Sequence, residues 1–147
     1  MTRPLVITDC DEVLMHMVVP FAEWVDAEHG VLFRIEDASF AGALKRKECG
    51  TPLEAAEVWP LLDSFFRSEM TRQYPIPGAL AAMAAIAEQA DIVVLTNVGP
   101  EHQQARIEQL ALHDFHAPVI GSRGGKGEPV RRLIEQYQPS VTLFIDD

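Results

Sequence analysis

A chain of 147 residues with 48% apolar side chains is long enough for one domain with an insert, and too apolar for a disordered segment. Its formal net charge of −10 argues against a binder of nucleic-acid polymers, which needs a basic surface, and against docking on anionic lipid. An anionic small molecule remains compatible, because a local site can invert the global sign. Cys10 and Cys49 show no CxxC spacing, the amino terminus has no signal-like region, and no apolar run approaches the ~20 residues that span a bilayer. The expectation is a cytoplasmic protein in a reducing setting, with no membrane partner.

The run "PLVIT" (4–8) is a predicted buried strand. A helical stretch follows at 18–30, with Phe21, Trp24 and Val25 at i, i+3, i+4 and Gly30 as its stop. A second helix is predicted over 35–47. A third, over 51–70, opens with a capping box of Thr51, Pro52 and Glu54, and Pro60 is expected to kink or split it. "YPIPG" (74–78) reads as a return hinge. Then come an Ala-rich helix (77–90), the strand "ADIVVLT" (90–96), a helix (100–113), the strand "APVIG" (117–121), a helix (126–137) and the strand "VTLFI" (141–145). Strand–helix alternation with near-continuous apolar strands predicts an α/β fold: an open parallel, Rossmann-like sheet flanked by helices. The first connection is far longer than one crossover needs. Residues 1–14 and 76–147 are therefore predicted as the core domain, with 15–75 as a helical subdomain inserted after strand one.

Ligands of an open parallel sheet bind beyond the carboxyl ends of its strands. There the chain places Asp9 and Asp11, then Thr96 and Asn97, then "GSRGGKG" with Lys126, then Asp146 and Asp147. In this order the set resembles the haloacid dehalogenase superfamily, in its phosphatase branch with a small helical cap. "VITDCDEV" is similar to the first motif, D-x-D-x-[TV], at Asp9, Asp11 and Val13. "IVVLT" is similar to the second at Thr96, Lys126 to the third, and "LFIDD" to the fourth.

The resemblance implies a Mg²⁺-dependent phosphatase acting on a small phosphorylated metabolite. By it, Asp9 is the nucleophile that forms an aspartyl-phosphate. Asp11 protonates the leaving oxygen and then activates water. Thr96, Asn97 and Lys126 hold the phosphoryl group. Asp9, the backbone carbonyl of Asp11, and Asp147 hold the metal, with Asp146 behind them within reach of Lys126. His16 is a candidate substrate contact. Alternate residues of a strand share a face, so Asp9 and Asp11 can point one way with Cys10 turned aside. Two unit charges ~4 Å apart interact by about 4 kcal/mol at an effective dielectric of 20, so cations must offset the repulsion between a carboxylate and a phosphate.

Glu12 stands where this branch usually has glycine, which eases the turn after the strand. It either tolerates that backbone, pointing to solvent, or alters the pocket. Family members continue past the fourth motif with another strand and helix, so a partial chain is expected. A phosphotransferase or mutase, a deoxyribonucleotidase-like enzyme and a phosphate-binding domain without turnover are the alternatives. A dehalogenase has no need of Asp11 as an acid, and the order of a signalling receiver domain does not fit. "GSRGGKG" lacks P-loop spacing. "HDFH" (113–116) and "KRK" (45–47) read as surface, and Phe65 and Phe66 as core of the insert. Cys10 reads as a packing residue whose thiol, between two acids, is a candidate for oxidation.

Overall fold

The computed structural model describes residues 2–37 and 39–147. In chain order it contains β1 (Leu5–Thr8), α1 (Val18–His29), β2 (Val31–Phe33), β3 (Leu44–Arg46), α2 (Ala55–Ser68) and α3 (Ala79–Ala87). There follow β4 (Asp91–Thr96), α4 (Gln103–Ala111), β5 (Val119–Gly121), α5 (Gly127–Tyr137) and β6 (Thr142–Ile145). The chain divides into two compact units, Met1–His16 with Tyr74–Asp147, and Met17–Gln73.

The first unit is built on a parallel sheet in the order β5-β4-β1-β6. Its two faces are written in the alternation of β1 and β4. Leu5, Ile7, Val93 and Leu95 form one buried cluster with Leu133 of α5. Val6, Ile92, Val94 and Val119 form another with Met83 of α3 and Leu110 of α4. Side chains of this size each contribute about 1.5–3 kcal/mol when fully buried, which is why strands this short can hold two layers of helices. β1 pairs Leu5 with Asp91 on one side and with Thr142 on the other. The chain moves outward from β1 through β4 to β5, then returns to lay β6 on the opposite side of β1. That reversal makes a crevice beyond the carboxyl ends of β1 and β6.

In the second unit α1 forms where the sequence predicts it, stopped by Gly30 at φ 62°. The helix predicted over 35–47 is absent. Two single turns of 3₁₀ helix (Ile35–Asp37 and Phe40–Gly42) lead into β3, which pairs antiparallel with β2; Ala38 lies outside the described residues. The Val-Leu-Phe run after Gly30 offers a partner strand. Pairing across it and burial of Phe33 and Leu44 outweigh the local helix preference of "AGALKRK". The capping box also moves. Thr51–Leu53 extend alongside β3, with Thr51 O accepting from Arg46 N–H and Leu53 N–H donating to Leu44 O. Glu54 therefore caps α2, with Glu57 returning the second bond. α2 runs through Pro60 as one helix. Phe21, the ring at the centre of the unit, meets Phe33 edge-on at 5.3 Å and Phe65 at 5.4 Å, and Phe65 and Phe66 are both buried.

One close approach fixes the loop after β4 against the end of β5. A Cβ on Gly121 would lie 2.4 Å from the carbonyl oxygen of Gly99. Gly121→Ala is expected to lower stability by about 1–3 kcal/mol, read from the midpoint of urea unfolding, because backbone and not a flexible side chain must yield.

Candidate active site

Asp9 continues the ladder of β1 by one residue, its N–H donating to Ile145 O at 2.8 Å. This brings it, buried, to the crevice between β1 and β6. Its Oδ1 accepts from the Cys10 N–H at 2.8 Å and lies 3.2 Å from Lys126 Nζ. Lys126 stands at the N-cap of α5, its side chain only 11% exposed, and its Nζ also reaches Asp146 Oδ1 at 3.3 Å. The ring of Phe144 lies below it, 5.7 Å away. Burial pushes the Asp9 carboxyl up to about 7, and a hydrogen bond with Asp146 pushes the same way, against the pull of Lys126 and the Cys10 N–H. For Asp146 partial burial acts upward, but the Asp9 hydrogen bond and Lys126 hold it below the ordinary carboxylate range.

Oxygens of Asp9, Asp146 and Asp147 lie within 4.8 Å of one another. Three carboxylates with one ammonium leave negative charge in excess, in an all-oxygen donor set. That chemistry fits a hard divalent cation such as Mg²⁺. Thr96 ends β4 fully buried, and its hydroxyl has no hydrogen-bond partner among the described residues. A buried orphan hydroxyl is costly unless something else satisfies it. Asn97 follows it, exposed.

Asp11 has a different partner. Both of its carboxylate oxygens accept from Nη2 of Arg106, at 2.8 Å each. Arg106 lies on α4, is 0% exposed, and donates through Nη1 to Gln109 Oε1 at 2.7 Å. Between the two acids, Cys10 turns into the apolar cluster of the α3–α4 face. Burial pushes its thiol up to about 12, which favours the protonated form. His16 packs its ring 4.7 Å from Tyr74 and donates its backbone N–H to Tyr74 O at 2.8 Å.

Neither Arg106 nor Gln109 is visible as a site residue in a search for acids and phosphate-binding groups. A signal exists nonetheless. His102, Arg106, Gln109 and Leu110 fall at i, i+4, i+7 and i+8, and all four are buried. The inward stripe of that helix is mostly polar, which calls for internal partners.

The turn after Asp11 places Glu12 at φ 63°, in the left-handed region. The carbonyl of Cys10 accepts from the N–H groups of Val13, Leu14 and Met15, and Glu12 N–H donates to Met15 O. The glycine-favouring backbone is thus present with a glutamate on it, at a cost of roughly 1–2 kcal/mol. Glu12→Gly is expected to raise stability by up to about 1 kcal/mol, glycine's larger unfolded-state entropy taking back the rest, while Glu12→Val lowers it. Urea denaturation of both variants checks this.

A second expectation concerns pH. With its folded-state carboxyl raised to about 7, Asp9 favours the fold in its neutral form. That contribution is complete below the unfolded value of about 3.9 and is lost as pH climbs to about 7. In chelator, Asp9→Asn should therefore gain stability relative to the unsubstituted chain as pH rises from 4 to 7. Melting temperatures across that range test it, and a constant difference would contradict the raised carboxyl.

No protein-family model and no curated protein matches the chain. Among solved structures, it is similar to a haloacid dehalogenase-like family hydrolase of Streptococcus pneumoniae, with a TM-score of 0.69 and 13% sequence identity. The match covers all of this chain and 76% of that one. The likeness shows a Rossmann-type α/β fold, a parallel sheet flanked by helices. No helix among the described residues is long and apolar enough to cross a membrane.

Proposed function

We propose that this chain is a Mg²⁺-dependent phosphatase that hydrolyses a small phosphate monoester through an aspartyl-phosphate on Asp9. The observation that carries the reading is the convergence, in the crevice between β1 and β6, of buried Asp9 with Lys126, Asp146 and Asp147. Mg²⁺ held by Asp9 and Asp147, with the Asp11 carbonyl as a further donor and Asp146 behind them beside Lys126, would supply positive charge against the incoming phosphate.

Asp9 attacks phosphorus through a carboxylate oxygen, forming a new P–O bond. The bond to the leaving oxygen breaks with its electron pair on that oxygen, which takes a proton from Asp11. Water then attacks the same phosphorus and gives its proton to Asp11, and Asp9 departs as a carboxylate. Lys126 offsets the charge on the transferring group and favours the ionised Asp9 that attack requires. The Thr96 hydroxyl, orphaned in the protein alone, donates to a phosphoryl oxygen, with Asn97 beside it. The insert stands in the chain where the resembled family places a substrate-selecting cap, and His16, the residue just before it, is the candidate substrate contact. Both cysteines are free thiols, in keeping with a reducing, cytoplasmic setting.

With 4-nitrophenyl phosphate and Mg²⁺, the chain is expected to release phosphate, chelation to stop turnover and added Mg²⁺ to restore it. Asp9→Asn should bring turnover to background while circular dichroism stays unchanged. Activity that survives either chelation or Asp9→Asn would sink the scheme.

A further inference from the structure

Arg106 is a cation sealed inside α4's core face, which proteins rarely tolerate without a fixed partner. Its guanidinium is held at both ends, by Gln109 through Nη1 and by Asp11 through Nη2. α4 is itself anchored, since Gln103 Oε1 accepts the Gly121 N–H at 3.0 Å at the end of β5. One helix, α4, thus carries both the side chain tied to the end of β5 and the guanidinium tied to the Asp11 carboxylate, which is 16% exposed. Stability gives no reason for this arrangement, because an apolar pair of similar volume is commonly as stable as a buried ion pair or more so. A reason appears if the carboxylate must be held in one place.

We infer that Arg106 is a positioning residue that aims Asp11 in both halves of the reaction. This rests on the proposed roles of Asp9 and Asp11. In the first half the guanidinium receives the carboxylate left on Asp11 as its proton passes to the leaving oxygen. In the second it points that carboxylate at the attacking water. Without it, Asp11 can rotate out of reach of either oxygen.

The test compares two aryl-bearing substrates with the Mg²⁺-loaded full chain. 4-Nitrophenolate leaves from 4-nitrophenyl phosphate without a proton, whereas the alkoxide of benzyl phosphate needs one. In Arg106→Met, kcat for 4-nitrophenyl phosphate should fall about tenfold to a hundredfold with KM falling alongside, so that kcat/KM is nearly unchanged. For benzyl phosphate, kcat/KM itself should fall about tenfold to a hundredfold. Arg106→Lys should recover part of the loss, and Arg106→Met should add nothing in an Asp11→Asn background. Gln109→Leu, which loosens the guanidinium without removing it, should give the same pattern more weakly and serves if Arg106→Met fails to fold. A parallel fall in kcat/KM on both substrates, or no change on either, overturns the inference alone. No turnover in the unsubstituted chain, or turnover that survives Asp9→Asn, overturns the reading of the site on which it rests.

Discussion

The fold must hold three carboxylates at one sheet edge, and Lys126 is the charge that lets it. Oxygens of Asp9, Asp146 and Asp147 share a space under 5 Å across, within 4.8 Å of each other. Like charges this close repel, and a proton shared between Asp9 and Asp146 relieves only part of that repulsion. Lys126 meets two of the three and is itself nearly enclosed. Its place is set by the start of α5, whose Leu133 is seated on Leu5 and Ile7 of β1. The core of one sheet face therefore fixes the distance between the ammonium and the acids at the end of the same strand.

The first two aspartates receive different neighbours although one residue separates them. Asp9 faces an ammonium shared with another acid. Asp11 faces a guanidinium of its own. Two carboxylates one residue apart thus sit in different electrostatic settings, one raised to about 7 by burial and one paired with a buried cation. Cys10 makes the division possible by filling the core between them.

Much of this was legible in the sequence. The apolar runs at 4–8, 90–96, 117–121 and 141–145 are short, and a covered parallel sheet is the simplest reading of them. Asp9, Thr96, Lys126 and Asp146 could be placed at strand ends because a strand's end is a matter of local pattern. What escaped depended on pairing at a distance. The 35–47 segment has helix-forming residues, and only the partner strand at 31–33 shows why it extends. Thr51 satisfies the pattern of a helix cap, yet its carbonyl is already taken by Arg46. Arg106 lies 95 residues from Asp11, and no local motif links a helix arginine to that acid. Glu12 was legible as an anomaly against the resembled motif, and its positive φ shows a glycine-favouring turn carrying a glutamate.

The crossing between the two units has a consequence for the order in which the chain can fold. Ile76 N–H donates to Leu14 O and His16 N–H to Tyr74 O, so the outgoing and returning segments run side by side as a two-rung clasp. β1 is synthesised first, yet its neighbours β4 and β6 lie far downstream, and closing so long a loop unaided is entropically expensive. Met17–Gln73 draws on contacts close in sequence, such as the β2–β3 hairpin that follows α1 directly. Once that segment has collapsed, the clasp can form between its ends, and the effective separation of β1 from β4 shrinks to the short stretch through α3. An insert that collapses first would thereby shorten the loop that β1 must close to reach β4, a contribution independent of any chemistry at the strand ends.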